Sequence, residues 1–246
     1  MPGGPQYFGE VLLQTVTLSF FRFESWLDRI WAFVMMGLAR PGMARVPGIG
    51  FWKLCGSGVG EGFTPLPNTA VYAILATWPD EETAKEQTAN AKMFKRYQAR
   101  ATEHWTVFLQ TTSARGHWTG VEPFAPQTNA TPGPLAALTR ATIKPSVAMQ
   151  FWRRVPDISD VIGNDPNVAF KIGIGEVPWF HQVTFSIWPD TKSMTAFARA
   201  DGPHARAIRA VREGNWFSEE LYARFAVVGD AGSWGGCSPL TGLERP

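Results

Sequence analysis

The chain contains an internal repeat, and this feature restricts its fold more than any other. The tripeptide Trp78-Pro79-Asp80 follows a run of apolar and β-branched residues and recurs as Trp188-Pro189-Asp190 after a similar run. Three further matches occur in the same order: Phe51 to Leu54 with Ala169 to Ile172, Trp105 with Trp216, and Arg115 to Trp118 with Ala231 to Trp234. Four ordered matches indicate a duplicated structural unit.

Each copy has the pattern strand, helix, strand, strand, helix, strand, as judged from β-branched runs and helical apolar spacing. The predicted strands are Thr15–Phe21, Gly50–Cys55, Thr69–Trp78, Trp105–Thr112, Leu135–Thr142, Asn167–Ile174, Phe180–Trp188 and Tyr222–Val228. The predicted helices are Glu24–Ala39, one from Asp80 to Arg100, Val147–Val155, and Thr191–Arg212 with a break at Gly202-Pro203. This pattern predicts an α+β protein with tandem ferredoxin-like β-α-β-β-α-β repeats, which can pack as an α+β barrel of the dimeric type.

The repeat boundaries follow from this pattern. We predict an N-terminal tail over residues 1–13, a first repeat over 14–120, a linker over 121–134, a second repeat over 135–236 and a C-terminal tail over 237–246. The linker is assigned because Pro, Thr, Asn and Gly dominate that stretch. Such residues favour turns and loops over strands and helices.

Composition narrows the class of protein. Of the 246 residues, 45% are hydrophobic and 18% are charged, and the net charge of +2 gives no argument for a nucleic-acid partner. The 11 Trp and 17 Phe can fill a core or line a pocket for a large flat or polyene ligand. Two cysteines make no disulfide framework. This cysteine usage favours a cytoplasmic, reducing compartment. The longest apolar run, from Ile30 to Ala39, is too short to cross a bilayer, so we expect a protein that is soluble or at most peripheral to a membrane.

Four histidines are the scarce candidates for chemistry: His104, His117, His181 and His204. His204 follows Gly202-Pro203 and would lie in the first turn of a helix, where the helix dipole favours the neutral imidazole that a metal requires. Arg206 and Arg209 follow on the same helix and can bind carboxylates, or they can be solvated. His181 begins a strand and either lines a pocket or forms a structural hydrogen bond.

Other conspicuous residues have structural interpretations. Asp80 and Asp190 stand after Trp-Pro in both copies, which favours helix capping because one active site would need only one of them. Cys55 is a conceivable thiolate ligand, but a small buried side chain is its more common role. The glycines between residues 56 and 62 fit a hairpin loop or a lid.

Several long segments resemble the spheroidene monooxygenase (acyclic carotenoid 2-ketolase) family. They are Gly50 to Gly58, Glu61 to Pro65, Ala76 to Asp80, Phe170 to Pro178, His181 to Asp190 and Asp201 to Glu213. The resemblance runs from about Thr15 to Leu240. It implies an oxidoreductase of photosynthetic bacteria that uses dioxygen and a ferredoxin-type electron donor to hydroxylate and then ketolate acyclic carotenoids at C-2, from spheroidene to spheroidenone.

The resemblance also implies haem b as the cofactor. Chlorite dismutases, dye-decolorising peroxidases and aldoxime dehydratases bind haem on related folds, in several cases through a histidine on a helix of the C-terminal unit. By this analogy His204 is the expected proximal ligand, with His181 as the second catalytic candidate. Arg206, Arg209, Phe185 and Lys171 are expected to contact the cofactor.

A polyene substrate implies peripheral membrane contact, because one end would enter the protein while the rest stays in the bilayer. Phe20, Phe21, Trp26, Trp31 and Phe33 are the expected membrane-facing patch. A homo-oligomer is compatible with this interpretation. The alternatives are another haem enzyme of peroxidase or dehydratase type, a non-enzymatic carotenoid or haem carrier, and a non-haem iron site of two histidines and a carboxylate.

Overall fold

Eight antiparallel strands close into a single barrel with helices on its outside. The computed structural model describes residues 13–59, 66–127, 133–153, 168–199 and 216–243, so the predicted site residues His204, Arg206 and Arg209 lie outside the described residues. The strands are β1 (Thr15–Arg22), β2 (Trp52–Gly58), β3 (Pro67–Trp78), β4 (Glu103–Gly116), β5 (Leu135–Ile143), β6 (Phe170–Gly175), β7 (His181–Trp188) and β8 (Phe217–Gly232). The described helices are α1 (Trp26–Leu38), α2 (Arg40–Met43), α3 (Glu81–Asn90), α4 (Lys92–Gln98) and α5 (Thr191–Arg199), together with a 3₁₀ turn (Pro145–Val147) that leads into helical residues 148–153.

The barrel consists of two four-stranded sheets of the same topology. Around the barrel the strand order is β1-β3-β2-β6-β7-β5-β8-β4. The first sheet is therefore β4-β1-β3-β2 and the second is β8-β5-β7-β6, each the order of a ferredoxin-like unit. The predicted α+β class and the barrel formed by two ferredoxin-like repeats are confirmed.

The two seams between the sheets differ in length. β4 and β8 pair from Trp105 with Gly232 to Gly116 with Leu221, whereas β2 and β6 pair only at Gly56 with Gly175 and Ser57 with Ile174. The long seam explains why β4 and β8 extend beyond the predicted strands. Residues 113–116 of β4 and 229–232 of β8 pair across the two repeats, which the pattern within one repeat does not reveal.

The register corrects two matches made between the repeats. Gly56 faces Gly175 at the seam, so Phe51 corresponds to Phe170 and Lys53 corresponds to Ile172, not to Lys171. In the same way Trp105 corresponds to Leu221, not to Trp216. A shift of one residue in a strand moves a side chain to the other face of the sheet. Lys53 and Lys171 therefore lie on opposite faces.

The barrel interior is a packed aromatic and aliphatic core. Phe20 stacks on Trp105 with 5.6 Å between ring centroids and contacts Phe170 at 5.2 Å. Phe185, expected to contact a cofactor, is 1% exposed and lies in this core, 6.2 Å from the Phe20 ring. Cys55 is fully buried there, as a small apolar side chain would be. Phe124 also enters the core and packs edge-on against Phe225.

The helices of the first repeat cover the outer face of its sheet. Asp80 caps α3 by accepting a 2.6 Å hydrogen bond from the Thr83 amide, and Asp190 accepts one of 2.7 Å from Ser193, so the capping interpretation is confirmed. The prediction of one helix from Asp80 to Arg100 is wrong. Ala91 has an extended backbone and separates α3 from α4.

Helix α1 corrects the expected membrane-facing patch. Phe20 and Phe21 are buried at 0% and 1% exposure, on opposite faces of β1, and Trp31 packs edge-on against Tyr97. Only Trp26 and Phe33 of the five are strongly exposed. The error arises because Phe20 and Phe21 belong to a strand that is buried on both faces.

Candidate functional site

The outer faces of the two sheets carry different side chains, although the strands are equivalent. On the first sheet the outward residues are bulky and apolar, and they form one buried cluster with α1 to α4. At equivalent register positions, Phe21, Leu54, Tyr72, Ile74, Ala76 and Phe108 correspond to Ala141, Gly173, Gln182, Thr184, Ser186 and Arg224. The outer face of the second sheet therefore carries small and polar side chains where the first sheet carries apolar side chains that pack against helices. We call this outer face of the second sheet the exchanged face.

Two small apolar clusters mark the ends of this second face. At one end, Phe151 of the helical residues 148–153 packs with Ile143 and Trp216. At the other end, Met194 of α5 packs with Leu135 and Trp188. Within the described part of the chain, the helical segments contact the sheet at these ends, and the small and polar positions lie between them. Small and polar side chains at these positions are compatible with a flat ligand on this face.

One row of the face is flanked by cations. Arg224, Ala137, Ser186 and Lys171 lie side by side on β8, β5, β7 and β6. Three strand spacings of ~4.8 Å separate the outer two backbones by about 14 Å. Lys171, one of the predicted cofactor contacts, is thus placed on the face that carries the exchanged residues. Cations at the ends of a small-residue row suit a ligand with an apolar body and carboxylates.

A second polar group lies at one end of the barrel and centres on Glu176. The Glu176 carboxylate accepts a 2.6 Å hydrogen bond from Trp118 Nε1 and pairs with Lys53 Nζ at 2.9 Å. His181 Nδ1 is 3.7 Å from the same carboxylate, beyond hydrogen-bond range. Lys53 also donates to Thr119 Oγ1 at 2.9 Å. We refer to Lys53, Glu176 and His181 as the rim triad.

Arg140 and Glu219 form an ion pair beside the rim triad. The Arg140 side chain is 1% exposed and its guanidinium lies 5.7 Å from the centroid of the Trp118 ring. Burial opposes ionisation of Glu219. Hydrogen bonds from the amides of Gly120 and Thr119, together with Arg140, nevertheless lower the Glu219 pKa. Because Glu219 is ionised at neutral pH, it compensates the buried guanidinium.

A comparison with the opposite end of the barrel shows which of these polar groups have a structural role. There Arg22 pairs with Glu103 at 3.0 Å and lies 4.4 Å from the Trp234 ring centroid. Glu103 is the register equivalent of Glu219, and it accepts a hydrogen bond from the Gly236 amide as Glu219 does from Gly120. The Arg–Glu–Trp arrangement thus occurs at both ends and is explained by structure.

The rim triad has no such counterpart. The register equivalents of Lys53, Glu176 and His181 are Ile172, Ser57 and Val71. A structural role shared by the repeats therefore does not require these three polar residues. This makes the rim triad a candidate functional group.

The electrostatics of the rim triad favour a neutral His181. Burial lowers the pKa of His181, and the nearby Arg140 and Lys53 lower it further, against the opposing charges of Glu176 and Glu219. The His181 Nδ1 atom is buried and has no hydrogen-bond partner among the described residues. Burial also raises the pKa of Cys55, and Glu176 adds to that increase, so the thiol is protonated at neutral pH.

The chain has close relatives of known name. It is 52% identical over 238 residues to a spheroidene monooxygenase of Rhodobacter capsulatus, a match that covers 95% of this chain and 99% of the relative. A spheroidene monooxygenase of Cereibacter sphaeroides is 54% identical over 230 residues, 93% of this chain and 71% of the relative. A third, from Rubrivivax gelatinosus, is 32% identical over 208 residues, 85% and 80% of the two chains. The chain belongs to the spheroidene monooxygenase family. It is therefore an oxidoreductase of the monooxygenase class.

Solved structures agree with the fold of this member of the spheroidene monooxygenase family. An aldoxime dehydratase in complex with butyraldoxime has a TM-score of 0.60 at 10% identity, over 94% of this chain and 86% of that one. A second aldoxime dehydratase structure has the same TM-score at 9% identity, over 94% and 87%. At such low identity the likeness shows the fold alone. No family model matches the chain.

The structure brings some predicted site residues together and separates others. His181 joins Lys53 and Glu176 at the barrel rim, Phe185 lies in the barrel interior, and Lys171 lies on the outer face. Arg140 and Glu176 were missed by the sequence reasoning. A single arginine within the apolar strand Leu135–Ile143 was the available signal for Arg140.

The described residues contain neither a metal-binding cluster nor a membrane-spanning helix. Among them, no group of three or more His, Cys, Asp or Glu side chains is placed to hold a metal ion. No helix in the described ranges is long and apolar enough to cross a membrane.

Proposed function

We propose that this chain is a haem-dependent monooxygenase that hydroxylates and then ketolates an acyclic carotenoid at C-2, from spheroidene to spheroidenone. The observation that carries the substrate is the 52% identity with a spheroidene monooxygenase over 99% of that relative's length. The proposed cofactor rests on the exchanged outer face of the second sheet. Dioxygen and a ferredoxin-type reductant are the proposed co-substrate and electron donor.

The exchanged face fits haem b in shape and charge. Haem is flat and largely apolar and carries two propionates, so it needs a floor without bulky side chains and cations at the edge. Gly173, Thr184 and Ser186 supply such a floor. Lys171 and Arg224 stand at the two ends of one row and would hold carboxylates, as would Arg206 and Arg209. His204 would hold the iron.

The protein's part in the reaction is to bind, orient and exclude water. When bound, haem supplies the activation of dioxygen for insertion into a C–H bond. The apolar clusters at both ends of the exchanged face would limit the access of water to a bound haem, and a dry site protects reactive species from side reactions. Each hydroxylation consumes one dioxygen, two electrons and two protons and releases one water. A second hydroxylation of the same carbon gives a hydrated ketone that loses water.

The proposed substrate also requires access to a membrane, because an acyclic carotenoid partitions into bilayers. We therefore propose a peripheral association in which one end of the polyene enters the protein. An oligomer of this chain is compatible with that association.

The first test is the absorption spectrum of purified protein, ferric and then ferrous with carbon monoxide. Wild type should show a Soret band, and His204→Ala should weaken or shift it. His117→Ala is the matched control, because His117 is exposed and pairs only loosely with Glu122 at 3.5 Å. A Soret band changed by His181→Ala instead would move the ligand to the barrel rim. Absence of a Soret band after haem is supplied would refute the haem assignment.

The second test is product analysis with spheroidene, dioxygen and reduced ferredoxin. Hydroxy- and keto-carotenoid products are expected. Binding of the pigment without its conversion would indicate a carrier. Peroxidase or dehydratase turnover of small polar substrates, with no carotenoid product, would indicate another haem enzyme on this fold.

A further inference from the structure

Helix α1 has two apolar faces, and only one of them is packed. Ala32 and Met35 point inward and are buried in the cluster on the first sheet. Six large apolar side chains on the other side are between 46% and 71% exposed: Trp26, Leu27, Ile30, Phe33, Val34 and Leu38. A helix that borders solvent normally presents polar residues there. We call these six residues the α1 outer face.

The α1 outer face is a concentration of exposed apolar surface, not a scatter of single residues. Six of the 13 large hydrophobic side chains that are exposed in the described part of the chain lie on this one helix. Single exposed apolar residues are ordinary, whereas a contiguous patch marks an interaction surface. With 13 residues, α1 is ~20 Å long, a length suited to lying in an interface and not to crossing it.

The charges of α1 itself are turned toward the protein. Asp28 pairs with Arg100 at 2.9 Å, and Arg29 Nε donates to the Phe23 carbonyl at 3.0 Å. One exposed anion, Glu24, precedes the helix, whereas exposed cations follow it and lie on α4. Arg40 and Arg45 follow the helix, and the exposed Lys95 and Arg96 lie on α4.

Helix α4 is held against α1 through contacts that Tyr97 and Arg100 make with Trp31. Tyr97 packs edge-on against Trp31 with 5.1 Å between ring centroids, and the Arg100 guanidinium lies 4.9 Å from the Trp31 ring. An apolar helix face bordered by cations is complementary to a bilayer with anionic headgroups.

We propose that the α1 outer face docks this protein on a lipid bilayer that contains anionic lipids. The six apolar side chains enter the boundary between headgroups and acyl chains, and Arg40, Arg45, Lys95 and Arg96 contact the headgroups. The purpose of this surface, transfer of a polyene from the bilayer, rests on the proposed function. Lipid binding itself is measured without turnover.

The test is flotation of the full-length protein with vesicles of phosphatidylcholine alone or with added phosphatidylglycerol. Ile30→Ser/Phe33→Ser should lower the partition coefficient at least about tenfold, because two large apolar side chains no longer enter the bilayer. Val121→Ser/Met149→Ser removes two exposed apolar residues elsewhere and should leave binding unchanged. Circular dichroism and Tm must show that both variants fold.

The cationic border has its own test. Arg40→Gln/Arg45→Gln should weaken binding to anionic vesicles by about thirtyfold at low salt, with little effect on neutral ones, since each of the two cations near an anionic surface adds ~1 kcal/mol. Equal binding by wild type and Ile30→Ser/Phe33→Ser would overturn the proposal. A wild-type dimer in sedimentation velocity that the same variant dissociates, without vesicle binding, would assign the face to a second copy and would also overturn it.

A turnover assay separates this proposal from the proposed function. With carotenoid in detergent the Ile30→Ser/Phe33→Ser variant should match wild type, and with carotenoid in vesicles it should be slower by the same factor as its loss of binding. Vesicle binding by a wild type that converts no carotenoid in either form would refute the proposed function and leave the docking surface in place. Equal slowing of the variant in detergent and in vesicles would overturn the docking proposal.

Discussion

At the scale of single residues, Arg140 is the most deeply buried charged side chain beside the rim triad. Its side chain is 1% exposed, whereas its counterpart at the other barrel end, Arg22, is 36% exposed. Removing one member of a buried pair leaves its partner uncompensated, while an exposed pair contributes little. The same Arg–Glu–Trp arrangement therefore has different energetic consequences at the two ends.

We expect Arg140→Met to lower the free energy of unfolding by about 2 kcal/mol or more, because Glu219 then loses its cation. The matched control Arg22→Met should cost below about 1 kcal/mol. Urea unfolding followed by circular dichroism measures both values. Equal losses in the two variants would contradict the distinction drawn between the barrel ends.

His181 gives a pH-dependent prediction. Burial holds the pKa of folded His181 below its unfolded value of about 6.5. As pH falls through that value the unfolded state takes up the proton first, so stability should decrease toward acid. Above the unfolded pKa both states are neutral, and this residue adds no pH dependence.

The measurement is urea unfolding of wild type and His181→Gln between pH 5 and pH 8. The variant should lose part of the acid-side decrease and match the wild-type slope above pH 7. A wild-type slope that persists unchanged in His181→Gln would assign the acid sensitivity to other groups. His117→Gln, at an exposed position, is the control.

At the scale of elements, the exchanged face of the second sheet is the feature that most directly indicates a ligand-binding site. Thr184 occupies the position that Ile74 fills in the first sheet. Ile74 is 1% exposed beneath the helices, and Thr184 is half-buried on its face. If a flat cofactor lies on this face, its binding depends on the small size of the residue at 184.

Thr184→Phe should reduce haem incorporation at least about tenfold while the barrel stays folded, because the added ring occupies the space of the ligand. Thr184→Val keeps the volume and removes the hydroxyl, so it should retain haem. The haem-to-protein ratio from the pyridine haemochrome spectrum, with Tm as the folding control, distinguishes the two. Full haem loading of Thr184→Phe would place the cofactor elsewhere.

The sequence allowed the elements to be predicted but not the faces of the strands. Alternation and turn residues located β1, β3, β5 and β7 closely, because those strands lie within a repeat and are rich in β-branched residues. The match of Lys53 with Lys171 was wrong because aligning the two identical lysines shifts the repeats by one residue from the correspondence that the strand pairing gives. Only pairing partners fix which side of a sheet a residue occupies.

The candidate site was predictable to the extent that it lies on recognisable segments. His181 was identified from its rarity, and Glu176 lies in the same β6–β7 hairpin, but the neighbouring Lys53 and Arg140 come from two other parts of the chain. Arg140 reaches this group because β5 pairs with β7, whereas Lys53 reaches it because the short seam brings β2 beside β6. Such a contact between repeats leaves no periodic signal in either segment.

At the scale of the whole molecule, the barrel is closed by one long seam and one short seam. The short seam pairs Gly56 with Gly175, and Glu176 of the rim triad follows immediately. A disturbance at this seam should therefore affect both closure of the barrel and the position of the Glu176 carboxylate. The two facing glycines are equivalent by register but not by surroundings.

A Cβ atom added at Gly175 would lie 2.2 Å from the His181 carbonyl oxygen, whereas one added at Gly56 would meet nothing within 4 Å. Gly175→Ala must therefore separate β6 from β7 or shift the hairpin that carries Glu176 and His181. We expect a loss of about 2 kcal/mol, or a Tm lower by ~4–8 °C, in line with the cost of overpacking in a chain of this size.

Gly56→Ala is the matched control from the other side of the same seam, and it should leave Tm unchanged or slightly raised, because alanine restricts the unfolded chain. Calorimetry of both variants measures the change in stability, and NMR of the His181 imidazole resonances reports whether the rim triad has moved. Gly175→Ala should move the His181 signals and Gly56→Ala should not. Equal tolerance of the two substitutions would mean that the short seam does not position the rim triad, and closure of the barrel would then rest on the long β4–β8 seam alone.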